Sequence, residues 1–346
     1  MSSDKITNYY SYSPNHVLPA VFGALIGISL LIHTGQNFRY RYWRVTFFMF
    51  YGGAVFASGW ILRVLSSYQT DNLNLYIAQY ILILCGPPIY SAAEYNVLGR
   101  MMHYLPMHAP LNPSRVTYFF VYLGATVESL TAAGASLISN ADARKSALRT
   151  GGTMVVISVI LQAVVECLFM FMVAMMYNRC QKSKMLTPNL KNVCIMLFGT
   201  SILVLFRCVF RIVEYVSILK VLTSDCGSAC VPPVLKNEWY IYAFEAAPML
   251  LYTYWLNIMH PGRMLPSDSK IYLDFNRQER VGPGWKDKRP LIMSFCDPFD
   301  LEGMIKGRSA AEKYWLRPDD WSLVDARTGK EQSGVQLART VEEGIK

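Results

Sequence analysis

Seven blocks of predominantly apolar residues recur along the chain, at about 16–36, 44–65, 74–98, 116–139, 152–177, 193–219 and 239–259, with short polar connectors between them. A helix needs about 20 such residues to cross a bilayer. Backbone groups in hydrocarbon must be satisfied within their own element, which makes a helix of each block. The pattern predicts an all-α membrane protein, a seven-transmembrane helix bundle over 16–259 preceded by a polar N-terminal segment, 1–15. After His260-Pro261-Gly262 the pattern stops. Residues 263–346 hold no apolar run long enough to span. The segment 260–346 reads as a largely irregular, partly disordered cytosolic tail. Within it Trp285, Trp315 and Trp321 offer docking contacts and 300–315 forms one short helix.

Composition strengthens the membrane reading. Charged residues make up 16% of the chain and the mean hydropathy is +0.23, against roughly 25% charged in a soluble domain. The tail carries 15 of the 33 Lys+Arg and 14 of the 24 Asp+Glu, a balance of +1, so +8 of the formal +9 belongs to the rest. Those bases flank the spans and are not interleaved with aromatics, which argues against a nucleic-acid partner. One set of connectors holds Arg39, Arg41, Arg44, Arg100, Arg115, Arg179, Lys182, Lys184 and Lys191; the other holds Lys5, Arg63, Arg144, Lys145, Arg149, Lys220 and Lys236. The richer set marks the cytosolic side, with the N-terminus outside and the tail in the cytosol. The plasma membrane is the expected location. The first block is too long for a cleaved signal and reads as an uncleaved first span.

Cys226 and Cys230 lie four apart in the connector before the seventh block, on the outer side. A disulfide closing this loop suits an oxidising compartment; a Cys-x3-Cys metal pair is the alternative, but no nearby His completes a tetrahedral set. No G-x-x-x-x-G-K-[ST] occurs, so no ATP-hydrolysing P-loop is expected. No nucleophile or metal set assembles, and the reading is a non-enzyme with no cofactor.

Charge within the blocks carries the candidate chemistry. Glu94, Glu128, Glu166, Glu245 and the set Arg207, Arg211, Glu214 occupy five consecutive blocks. Each costs about 2.5–3.5 kcal/mol at a helix centre unless it faces protein or a wet cavity. Arg207, Arg211 and Glu214 are spaced i, i+4, i+7 on one face of the sixth block; Glu238, Tyr242, Glu245 and Met249 follow the same period on the seventh. Two such stripes can meet as Arg–carboxylate pairs. Either Arg207, Arg211, Glu214 and Glu238 form a structural ion-pair network, or these side chains join Glu94, Tyr95, Glu128, Gln162, Glu166 and Glu245 in a polar pathway. Pro87 and Pro88 interrupt the third block, as a packing kink or as a broken helix beside a cavity.

Three motifs, Gly86-Pro87-Pro88 through Ala92-Ala93-Glu94-Tyr95 to Gly99-Arg100, Arg207 through Arg211 to Glu214-Tyr215, and Asn237-Glu238 through Tyr242 and Glu245 to Pro248-Met249 and His260-Pro261-Gly262, resemble the fungal lipid-translocating exporter family. The resemblance covers about residues 8–265, with Gln162 where that family tends to carry Gln. It implies seven spans and movement of membrane lipids or amphipathic small molecules, such as a sphingoid base. With no ATP motif, energy would come from protonation of a buried carboxylate. The alternative is a seven-span receptor or regulator of lipid asymmetry, with protein partners of the tail left open.

Overall fold

The computed structural model describes residues 9–10, 12–139, 145–223, 232–285, 293, 297, 305 and 313–324. Six helices, α1 Val17–Tyr40, α2 Trp43–Tyr68, α3 Leu73–Tyr104, α4 Pro113–Ser139, α5 Lys145–Lys182 and α6 Pro188–Thr223, grow from the first six blocks. All six are long and apolar enough to cross a membrane. They overrun the apolar blocks because helix formation does not stop where hydrocarbon would. The 38 residues of α5 reach about 57 Å at 1.5 Å per residue, well past a hydrocarbon core of roughly 30 Å. Pro113 and Pro188 open α4 and α6, where the missing N–H costs nothing. The Asn72 side chain caps α3 by accepting from the Leu75 amide at 3.3 Å.

The seventh block is helical but not uniform. After a short α7, Pro233–Lys236, it comprises α8 Trp239–Ile241, a π-turn Tyr242–Ala246 and α9 Ala247–Ile258. Pro248 lies just beyond the wide turn, and in a regular helix its ring would meet the Phe244 carbonyl. Widening the turn avoids that clash, and the Ala247 amide instead reaches back five residues to Tyr242 O. Among the described residues there are therefore six helices long enough to span, α2 with a kink at Thr46 (φ −108°, ψ 18°), and a seventh stretch broken by the π-turn.

The helices pack in chain order, and α9 closes the ring by contacting both α6 and α1. Asn257 on α9 makes part of that closure, donating to Ser29 O at 2.9 Å and Ser29 Oγ at 2.8 Å on α1. Helix α3 also reaches α5 and α6, so it runs through the middle. Close approach of α2 and α3 depends on glycine: a Cβ on Gly86 would sit 2.7 Å from Phe56 Cβ, and one on Gly59 2.8 Å from the Ile83 backbone nitrogen.

The start of the tail is more ordered than its composition predicts. Strands β1 Ile271–Leu273 and β2 Glu279–Val281 pair antiparallel, with Tyr272 opposite Arg280. Asp274 builds the turn, its Oδ1 accepting from the Asn276 and Gln278 amides at 2.8 and 2.9 Å. Its Oδ2 pairs with Arg280 Nε at 2.9 Å, and Arg280 Nη1 donates to the Pro318 and Trp321 carbonyls. Tyr272, Tyr314 and Trp315 form a small aromatic core flanked by Trp285 and Trp321. The Tyr104 hydroxyl fixes the hairpin to α3 through Glu279 at 2.8 Å. To the expected largely irregular tail the described part adds this short hairpin and a few turns. Of the short helix expected at 300–315, only the turn Tyr314–Leu316 falls among contiguous described residues.

Candidate functional site

The deepest polar cluster joins α6 to the π-turn. Glu245, completely buried, accepts from Arg207 Nε at 2.7 Å and from Arg211 Nε at 2.8 Å. Arg211 also reaches Glu214 at 2.7 Å, within α6. Arg207 Nη1 meets Gln162 Oε1 of α5 at 3.5 Å, and its Nη2 donates to Leu84 O of α3 at 3.2 Å. That last acceptor follows from sequence: Pro88 has no N–H to offer the carbonyl four residues earlier, so Leu84 O is left for the guanidinium. Two Arg and two Glu balance, and one charge-neutral cluster ties together α3, α5, α6 and the π-turn.

Glu238 stands apart from this network, a correction to the single stripe on the seventh block. Five residues in the wide turn break the 3.6-residue register between Glu238 and Glu245. Glu238 pairs instead with Arg63 of α2 at 2.7 Å, and accepts from the Tyr242 hydroxyl at 2.7 Å and the Asn15 amide at 2.7 Å. Arg63 also binds Tyr12 Oη and Gln79 Oε1, at 3.0 and 3.3 Å. The sequence reading counted Arg63 as a loop base; its place in the last turns of an apolar block was the signal that it needed a buried partner.

Between the two ion-paired groups lies a cavity of about 330 Å³. Tyr10, Tyr12, Tyr76, Tyr80 and Tyr215 wall it, with the Tyr80 hydroxyl donating to Tyr215 at 2.9 Å. Glu214 and Glu238 each present a carboxylate to it, while Phe210, Ile218 and Ile241 supply apolar wall. None of the five tyrosines was singled out from sequence as a wall residue, because they come from three separate elements, the N-terminal segment, α3 and α6, although Tyr76 and Tyr80 share one face of α3 at i, i+4.

A second acidic pair occupies the middle. Glu94 on α3 and Glu166 on α5 are fully buried and interact with each other, with Tyr95, Thr200, Ser201 and Tyr252 around them. Ser201 Oγ donates to Glu94 Oε2 at 3.3 Å. Glu94 Oε1 and both Glu166 oxygens make no hydrogen bond of good geometry, although the Ser201 and Tyr95 hydroxyls lie beside Glu166, and among the described residues no Arg or Lys forms an ion pair with either. Tyr95 packs its ring against Phe120 and Phe169, each 5.1 Å away. Glu128 is half-buried and separate, beside Cys85 and within electrostatic reach of Arg207. Neither Glu94 nor Glu166 lines the tyrosine cavity.

Among the described residues no group of three His, Cys, Asp or Glu side chains could hold a metal. Cys226 and Cys230 lie outside the described residues.

Residues 49–268 match the family model described as RTA1 like protein. The chain is 36% identical over 305 residues to the lipid-translocating exporter-like protein RTA1 of Leptosphaeria maculans, covering 84% of this chain and 58% of that protein. It is 28% identical over 282 residues to a protein of the same name from Ajellomyces capsulatus, covering 77% and 84%. A probable lipid transporter of Emericella nidulans is 22% identical over 291 residues, 79% of this chain and 72% of that one. The chain thus spans under two thirds of the Leptosphaeria relative's length. No solved structure matches it.

Proposed function

Because the chain belongs to the RTA1-like family, whose relatives here are named as lipid-translocating exporters and a lipid transporter, we propose that it moves an amphipathic, lipid-like molecule across a membrane. Membrane lipid-related transport is the family-level function, and the protein is an integral multi-pass membrane protein. The finer reading is a cationic amphiphile of the sphingoid-base kind. The observation that carries it is the tyrosine-walled cavity with two carboxylates on its surface. An ammonium is attracted to tyrosine faces within about 6 Å and to Glu214 and Glu238 by charge, while Phe210, Ile218 and Ile241 receive the alkyl chain. An arriving ammonium competes with Arg63 for Glu238, loosening the tie between α2 and the start of the seventh stretch. In this reading Trp239–Ile258 is the seventh span, the cavity end faces outward at the plasma membrane, and the tail lies in the cytosol. One proton held between Glu94 and Glu166 couples the movement to a gradient.

The test is flux of a labelled long-chain base and its N-acetylated, uncharged analogue through proteoliposomes holding the full chain. The charged base should move faster, and the double variant Glu214→Gln, Glu238→Gln should slow it about tenfold or more, as expected for losing charged hydrogen bonds worth roughly 1.5–3 kcal/mol each. Equal rates for the two compounds, or an unchanged rate in the double variant, would remove this substrate class. Absence of all flux, with ligand-dependent engagement of a cytosolic protein by residues 263–346, would mark the receptor or regulator instead.

A further inference from the structure

At the end of the bundle opposite the tyrosine cavity, a pocket of about 600 Å³ lies between the α1–α2 turn, the last turns of α3 and residues 267–270. Arg41, Arg44, Arg100 and Lys270 line it against one carboxylate, Asp268. That carboxylate is engaged locally, its Oδ1 accepting from the Lys270 amide at 3.0 Å. None of the four cations forms an ion pair among the described residues.

Four other bases at this end have partners. Arg39 and Arg263 both lie over the Tyr40 ring at 5.8 Å. Arg179 donates to His108 O, and Arg277 donates to Lys184 O. A basic flank set only by membrane orientation would leave its cations dispersed in solvent, not gathered around one concavity.

The pocket is also braced. Arg100 is 4% exposed; its Nε donates to Pro266 O at 2.6 Å and its Nη2 to Asp268 O, which hold the 266–268 segment against α3. Its Nη1 is buried and makes no hydrogen bond of good geometry, with the Tyr42 hydroxyl beside the guanidinium. Arg41 adopts φ 52°, the left-handed region, at the end of α1, a position where Gly or Asn would be less strained. Ser267 and Ser269 add hydroxyl donors, and Trp43 stands beside them on the same wall, a residue type common at the headgroup level of a bilayer. Three fork-shaped guanidiniums, an ammonium and hydroxyls around one opening supply the donors that a phosphate oxyanion takes.

We propose that this pocket binds a phosphomonoester, held by Arg41, Arg44, Arg100 and Lys270. The ligand chemistry is a dianionic phosphate, carried by a lipid headgroup or by a small soluble ester. The site is separate from the translocation reading, since its measurement is ligand retention and not flux.

The experiment uses the full chain in phosphatidylcholine nanodiscs, titrated with short-chain phosphatidic acid, with glycerol 3-phosphate, or with a phosphatidylserine of equal chain length as the phosphodiester control. Binding is read by thermal shift and by native mass spectrometry at low and moderate salt. Phosphatidic acid should bind more tightly than phosphatidylserine and weaken as salt rises. Each of the exposed substitutions Arg41→Gln, Arg44→Gln and Lys270→Gln should weaken it about fivefold, by analogy with a surface base near an anionic headgroup. Among the described residues these three side chains make no hydrogen bond, so the variants should melt with the wild type in the absence of ligand. Glycerol 3-phosphate binding as tightly as phosphatidic acid would uphold the phosphate site and assign it to a soluble ester. Equal binding of the phosphodiester, or full retention of phosphatidic acid by the triple variant, would overturn the proposal. Arg44→Glu supplies an independent check: a folded variant with undiminished binding also overturns it.

Discussion

Glu245 and Glu166 are both fully buried glutamates inside the same helical bundle, and they differ in what faces them. Glu245 accepts from two guanidiniums and sits in a cluster whose charges cancel. Glu166 faces another carboxylate, Glu94, with the Ser201 and Tyr95 hydroxyls beside it and, among the described residues, no ion pair. A compensated carboxylate holds helices in register; an uncompensated one stays available to a proton or a passing cation. Burial alone does not distinguish the two roles, because both are complete. Partner identity does.

The hardest blow to that distinction comes from Glu245→Gln. Gln keeps the shape and removes the charge, leaving Arg211 with Glu214 and Arg207 with only the neutral acceptors Gln162 and Leu84 O. Breaking one partner out of a buried pair costs about 3–5 kcal/mol, and the variant should show a large fall in melting temperature or in folded yield in mild detergent. Adding Arg207→Gln to the same chain should recover part of the loss. Wild-type melting by the single variant would show that the staple does not hold the bundle.

Glu166→Met should act in the opposite direction. It replaces two oxygens that make no ion pair and no well-formed hydrogen bond with apolar atoms of similar volume, and an unsatisfied buried polar group costs about 1–3 kcal/mol. The expected outcome is a gain of that order in unfolding stability together with loss of flux of the labelled base. A gain in stability with flux intact would assign Glu166 no part in translocation; a loss of stability would mean that it has a partner after all.

Glu238→Gln sharpens the comparison at an intermediate point. Its partner Arg63 is 3% exposed and Glu238 itself 10%, and Tyr12 and Gln79 remain to hold the guanidinium. The cost should be about 1–2 kcal/mol, between the values for exposed and for buried pairs. Melting of Glu238→Gln below Glu245→Gln would reverse the ranking and place the main staple at the cavity rim.

Much of the framework was legible in the sequence, because hydropathy blocks long enough to span leave few choices in a bilayer. The first six blocks each became one long helix, the second with a kink at Thr46, and Arg207, Arg211 and Glu214 lie together. Partner choice was less legible. Periodicity tells which face of a helix a residue occupies but not which helix that face meets, so Glu238 was grouped with the wrong arginines. The π-turn arises from Pro248 within a packed bundle and is invisible to a regular 3.6-residue count. The hairpin at 271–281 was hidden because its strands are three residues each, too short for an alternating pattern to register. Its order comes from Asp274, Arg280 and aromatic residues distant in sequence.

The smallest expected effect lies at the aqueous rim, where desolvation without an opposite charge recurs outside the spans. The His108 side chain contacts Ser183 Oγ at 2.9 Å and Met185 Sδ at 3.4 Å, bringing the α3–α4 and α5–α6 connectors together. Burial, and then the nearby Arg179 guanidinium, hold its imidazole below the ordinary value of 6.5. The depressed value means that the docked connectors favour neutral imidazole, while the undocked state takes up a proton near pH 6.5. Their stability is therefore fully present above that pH and declines as pH falls through the lower, docked value. Amide exchange in residues 105–112 and 183–187 should accelerate between pH 7 and pH 5 in the wild type and stay flatter in His108→Gln, once intrinsic exchange is corrected for pH. An identical acceleration in both would show that the desolvated imidazole does not control the rim, and would confine the contrast between paired and unpaired charge to the interior of the bundle.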